Sequence, residues 1–172
     1  MEILDIYDKY RIKTGRTYPR NEEIPKGGLR LIIHILIFND KGELLIQQRA
    51  DSKKMGGLWD LTCGGACQAG EDSWQGARRE LSEELGIDFD FSNLRPILTA
   101  NFDQGFDDFY LVRKNIDIKD LKLQEEEVKD ARWASRDEVF DLYTKGLFVR
   151  YKKSYLDLLF DLNDDDRFME FR

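Results

Sequence analysis

The densest apolar run in the chain is Leu29 to Phe38, with Ile32, Ile33, Ile35 and Ile37 inside it. A run of that length predicts a strand buried on both faces. Asn39-Asp40-Lys41-Gly42 predicts a hairpin turn, and Glu43 to Arg49 the return strand. Upstream, Ile3 to Tyr7 alternates and predicts a short edge strand, free to pair with another chain. Lys13-Thr14-Gly15-Arg16 predicts a turn. Arg20 to Gly28, polar with Pro25 and a Gly27-Gly28 pair, predicts a connector. Ala50 to Leu58 predicts a polar loop, and Trp59 to Cys63 a short strand entering Gly64-Gly65. Paired glycines let backbone approach a ligand where a Cβ would collide.

Downstream, Leu94 to Asn101 and Phe109 to Ile116 predict strands around a loop from Phe102 to Asp108. Glu127 to Trp133 predicts another strand. Ser135-Arg136-Asp137-Glu138 is a capping box, so a helix should run to about Tyr143. Tyr151, Tyr155, Leu158, Leu159 and Leu162 share one helical face and predict a C-terminal helix. Asp164 to Asp166 predict a frayed acidic tail. Strands interleaved with helices in this order predict a mixed sheet between helices.

The helix between these halves is the informative one. Arg78 to Leu85 holds good helix formers, Asp72 or Ser73 can cap its start, and Gly86 can end it. Trp74, Ala77, Leu81 and Leu85 fall on one face. Glu80, Glu83 and Glu84 fall on another, at i, i+3 and i+4 spacing. Like charges so placed destabilise a helix by a few tenths of a kcal/mol per pair. A cation between them removes the conflict, and carboxylate oxygens suit a hard divalent ion. The plain alternative is a solvated acidic face.

The surroundings of these glutamates decide between the two. The segment GACQAGEDSWQGARRELSEELGI, Gly65 to Ile87, resembles the Nudix box with each defining position filled: Gly65, Glu71, Arg79, Glu80, Leu81, Glu83, Glu84, Gly86 and Ile87. The resemblance implies an α/β/α sandwich with a mixed β-sheet over residues 29–160. Residues 1–28 would be an extension packed on that core, and 161–172 an acidic tail. It also implies a Nudix pyrophosphohydrolase: divalent-metal-dependent attack of water on a phosphorus of a nucleoside diphosphate derivative. Glu80, Glu83 and Glu84 would hold Mg²⁺, with Mn²⁺ able to substitute, and the Gly65 carbonyl would be a further ligand. Glu83 is assigned as the base. Arg79 would orient the glutamates, and Glu71 would meet Arg79 or a water beside the metal.

Outside the box, Gln48 and Arg49 end a central strand and are candidates for substrate phosphate. Trp59, Phe102, Phe106 and Phe109 are candidates for stacking a base. His34 reads as a core histidine with satisfied hydrogen bonds. The run Glu125-Glu126-Glu127 reads first as solvated charge, although the resemblance makes Glu127 a candidate for a further catalytic or metal-binding acid.

Composition narrows the rest. The chain has 172 residues, 41% of them hydrophobic, which is enough for one folded domain. A net charge of −7 argues against a nonspecific nucleic-acid or anionic-membrane surface without excluding nucleotides; the partner that the Nudix resemblance implies is a small nucleotide-type molecule. No apolar run approaches membrane-spanning length, and no secretory signal is evident, so a cytoplasmic protein is expected, with a homodimer an option. Cys63 and Cys67, with one histidine in the chain, make neither a disulfide scaffold nor a zinc site.

The extension and the LLIQQR segment also resemble the Nudix branch containing isopentenyl-diphosphate isomerase. That enzyme uses a cysteine just before the box and several histidines. Here Gly64 and Ala66 occupy the cysteine and histidine positions, and Cys63 is one residue early, which in a strand turns its thiol to the other face. A catalytically idle binding module is the third reading; it has no need of Arg79, Glu80, Glu83 and Glu84 together.

Overall fold

The computed structural model describes residues 1–164. Strands β1 (Ile3–Tyr7) and β2 (Lys13–Pro19) form an antiparallel ribbon. Then follow β3 (Arg30–Phe38), β4 (Leu44–Arg49), β5 (Trp59–Asp60), β6 (Cys63–Ala66) and helix α1 (Ser73–Leu85). Strands β7 (Leu98–Phe102), β8 (Gly105–Arg113) and β9 (Val128–Ala134) precede helices α2 (Arg136–Thr144) and α3 (Lys153–Asp164). The remainder of the expected acidic tail, beyond Asp164, lies outside the described residues.

Seven strands form one mixed sheet in the order β5-β4-β3-β8-β7, with β6 also on β3 and β9 also on β4. β3 and β8 run parallel, and the other pairs are antiparallel. β3 and β4 pair at Phe38 and Leu44 beside their turn and then splay apart. β3 runs on between β6 and β8, whereas β4 runs between β5 and β9. Gln47 and Arg49 of β4 and Gly64 of β6, on the two sides of this splay, line one cavity.

The alternation of β3 sorts its side chains between two cores. Ile33, Ile35 and Ile37 pack with Ala77, Leu81 and Leu85 of α1. Leu36 and Phe38 pack with Val139 of α2 and Leu156, Leu159 and Phe160 of α3. Helices therefore cover both faces of the sheet. Burial of a leucine such as Leu81 contributes roughly 1.5–3 kcal/mol.

Four local expectations need correction. Lys13 to Arg16 belongs to β2, because Lys13 pairs with Tyr7 and Thr17 with Asp5. Gly15, at φ 76°, sits where the register slips, so its turn-forming character appears as a bulge. β1 is no free edge either. β2 covers one side, and on the other Tyr7 bonds Leu29 while the Ile3 carbonyl accepts from Ala69. The expected strand from Trp59 to Cys63 is broken into β5 and β6, since Trp59-Asp60 pair with β4 and Cys63 onward with β3. Finally, the loop from Phe102 to Asp108 shrinks to Asp103-Gln104, with Phe102 paired directly to Gly105.

The N-terminal ribbon is tied to the base of α1. The buried Asp108 carboxylate accepts from the Arg11 guanidinium, the Ser73 hydroxyl and the Thr99 hydroxyl. Residues from the ribbon, the helix start and two strands thus meet at one charge.

Candidate functional site

Helix α1 starts at an Asp72–Gln75 capping box and ends at Gly86 in the left-handed conformation, φ 69°. Its acidic face is not the open surface that the spacing suggested. Glu80 and Glu84 are each 6% exposed, while Glu83 stays half exposed. The cover over Glu80 is β6. A Cβ on Gly65 would run into the Glu80 carboxylate, so only glycine leaves room for that side chain. Gly65→Ala is expected to cost about 1–3 kcal/mol through overpacking and to displace Glu80. A thermal melt and a hydrolysis assay at wild-type values would contradict this.

Arg79 organises the cluster. Its Nε and one Nη bond both oxygens of Glu71 at 2.7 and 3.0 Å. The other Nη reaches Glu80 at 2.9 Å and Glu83 at 3.1 Å, and the Ala66 carbonyl takes the remaining donor at 3.0 Å. All five N–H donors are engaged. Burial works against the charge on Glu71, but Arg79 and the Gln68 amide outweigh it and hold the carboxyl below its ordinary range.

A narrow cavity of about 90 Å³ opens onto Glu80, Glu83 and Glu84 and is lined also by Gly64, Gln47 and Arg49. Gln47 donates to Glu84 at 3.3 Å, and its own carbonyl oxygen is buried without a partner. Arg49 lines the cavity and donates to Asp60 at 2.9 Å. Gln48 does not face it: strand alternation turns Gln48 to the Gly57 carbonyl and brings Gln47 in. Gly64, rather than Gly65, lines the cavity. Glu71 supports Arg79 from outside it.

The aromatic candidates fall elsewhere. Trp59 packs in the α2/α3 core under the Arg132 guanidinium, 5.0 Å from its ring. Phe102 lines a separate hollow with Phe109 and Tyr155, and Phe106 is buried in the α1 core. His34 is a satisfied core residue, bonded to Asp107 at 2.8 Å and Tyr151 at 3.2 Å and stacked on Phe109. Glu127 does reach the cavity, bonded to Lys53 at 2.5 Å. The residues that sequence reasoning missed are Glu2, Arg20, Gln47, Lys53 and Gln124, all lining the same cavity. Strand parity could have supplied Gln47; the others arrive from distant loops.

The NUDIX domain profile matches residues 28–157. An uncharacterised Nudix hydrolase of Listeria monocytogenes is 42% identical over 165 residues, covering 95% of this chain and 96% of that one. The chain belongs to the Nudix family. It is similar also to an isopentenyl-diphosphate Delta-isomerase of Pectobacterium atrosepticum, 33% identical over 127 residues, 70% of this chain and 69% of that one. The crystal structure of DR0079 from Deinococcus radiodurans shares the fold, with TM-score 0.73 and 22% identity, covering 92% and 97% of the two chains. This protein is accordingly a Nudix hydrolase, an enzyme family that acts on small molecules and generally uses a divalent metal.

The Nudix helix carries an electrostatic deficit that such a metal fits. Burial, then the charges of Glu80, Glu127 and Asp60, push the Glu84 carboxyl well above its ordinary range. Burial also raises Glu80, against the pull of Arg79. Among the described residues no group of three or more His, Cys, Asp or Glu side chains forms a ready-made metal cage. Mg²⁺ needs none, because it keeps waters and takes one or two carboxylates with substrate phosphates. Glu80 and Glu84, with the orphaned Gln47 oxygen beside them, suit that incomplete shell.

A raised acid pKa means that the folded protein holds the proton more tightly than the unfolded chain. The stability it confers is therefore lost as pH climbs from the ordinary carboxylate range through the raised value. In chelator, Glu84→Gln should raise the melting temperature near neutrality and barely change it in mild acid. An equal shift at both would contradict the assignment.

Proposed function

We propose that this Nudix hydrolase cleaves a pyrophosphate bond in a nucleoside diphosphate derivative, with Mg²⁺ or Mn²⁺ held by Glu80 and Glu84 and with Glu83 serving as the base instead of as a third ligand. The single observation that carries this is the pair of buried carboxylates, Glu80 and Glu84, lining a cavity that Arg49 also lines. A divalent ion there supplies neutralisation of the phosphate oxygens and of the leaving group. Arg49 orients a phosphate, and Gln47 fixes Glu84. Glu83, half exposed and held by one Arg79 hydrogen bond, takes the proton from the attacking water. The water oxygen bonds to phosphorus, the bond to the bridging oxygen breaks, and the leaving phosphate departs with the electron pair.

Two features favour hydrolysis over allylic isomerisation. Cys63 is 2% exposed within the α1 core, with its thiol pushed well above the ordinary range by burial, so no thiolate faces the cavity. Cys67 is likewise buried, its thiol pushed up to about 12 by burial. The expected compartment is the cytoplasm, in keeping with two unpaired cysteines. Among the described residues no helix is long and apolar enough to cross a membrane.

Excess chelator should abolish hydrolysis of a nucleotide substrate, and added Mg²⁺ or Mn²⁺ should restore it. Full activity in chelator would overturn the proposed metal dependence.

A further inference from the structure

The cavity over the Nudix helix is not closed at its mouth. It continues into an open outer cleft of about 640 Å³, and four residues line both spaces: Glu2, Arg20, Lys53 and Glu127. They form two ion pairs at the opening, each within one wall. Arg20 pairs with Glu2, and Lys53 with Glu127 at 2.5 Å. Two of the four, Glu2 and Arg20, come from the segment before β3, outside the matched family domain.

These pairs are suited to exchange. All four side chains are between 31% and 45% exposed, and ion pairs at such exposure contribute little to stability. A phosphate group offers more charge and more acceptor oxygens than a carboxylate, and a guanidinium binds it in two-point fashion. Among the described residues, the lining of the outer cleft is, apart from Met1, made of charged or amide side chains. Its two cations, Arg20 and Lys53, become available to an anion when their carboxylate partners swing aside.

We propose that Arg20 and Lys53 form an anion subsite at the cavity mouth, taking a phosphate group of the substrate in exchange for Glu2 and Glu127. The subsite rests on the reading of the cavity as a pyrophosphate hydrolase site. It deepens that reading: a phosphate group of the substrate is held at the mouth, and Glu2 is a built-in competitor for the cation that receives it. The substrate class is then one with a free terminal phosphate, such as a nucleoside di- or triphosphate.

The test uses opposite variants of one ion pair. Arg20→Gln and Glu2→Gln break the same contact, so a purely structural contact predicts the same change for both. An anion subsite predicts opposite changes. Binding of methylenediphosphonate, which resists hydrolysis, is measured by calorimetry with Mg²⁺ present. Wild type should bind it. Arg20→Gln should weaken binding about tenfold or more, the worth of a lost charged hydrogen bond. Lys53→Gln should weaken it too, and Glu2→Gln should tighten it. On a hydrolysed nucleotide, Arg20→Gln should raise KM and leave kcat within a few-fold. No binding by wild type, an unchanged Arg20→Gln, or shifts of the same sign in Arg20→Gln and Glu2→Gln would overturn the subsite. The binding pattern without any nucleotide hydrolysis would remove the proposed reaction and leave the subsite standing.

Discussion

Arg79→Met should produce a folded but weakened protein with no measurable hydrolysis. The substitution keeps the aliphatic stem and removes five donors. Glu71 and Glu80 then lose their cation while largely buried, and breaking such a pair costs about 3–5 kcal/mol. Arg79→Lys should recover only part of this, because one ammonium cannot meet Glu71 in two-point fashion while reaching Glu80, Glu83 and the Ala66 carbonyl. Denaturant unfolding gives the stability change, and phosphate release gives the activity. Wild-type stability with full activity in Arg79→Met would show that the network is ornamental.

Glu83→Gln should separate chemistry from folding. Glu83 is half exposed, and its bond to Arg79 is one of several that the guanidinium makes, so the stability change should be on the order of 0.5 kcal/mol. Loss of a proton acceptor at the reacting water should cost roughly 10²–10⁴ in kcat. The contrast with Arg79→Met is the useful part: a large loss of rate with an unmoved melt. A variant that keeps near-wild-type turnover at saturating Mg²⁺ would place the base elsewhere.

What the sequence made legible was local. Helix α1, with its caps, its apolar face and its three glutamates, is set by residues within a few turns of one another. The α2 capping box and the central strand β3 are of the same kind. The misreadings share a different cause: each turns on which residues end up opposite one another or on which face, and that is settled only when the elements pair. Lys13 to Arg16 became a strand because Tyr7 and Asp5 lie opposite it. Gln48 gave way to Gln47 because strand parity, which the apolar run LLIQQR leaves undetermined, decides the face. Burial of Glu80 depends on β6 crossing above it at Gly65. Arg20 and Glu2 carry no motif at all, and only the folding of the N-terminal ribbon against the core brings them to the cavity.

The most direct test of the central claim is phosphate release. Purified protein with Mg²⁺ is assayed on nucleoside di- and triphosphates, nucleotide sugars and dinucleoside polyphosphates, with isopentenyl diphosphate run alongside. The account predicts phosphate or pyrophosphate from at least one nucleotide, release that collapses in Glu83→Gln, and isopentenyl diphosphate left unisomerised. Conversion of isopentenyl to dimethylallyl diphosphate that disappears in Cys63→Ser, with every nucleotide left intact, would contradict it.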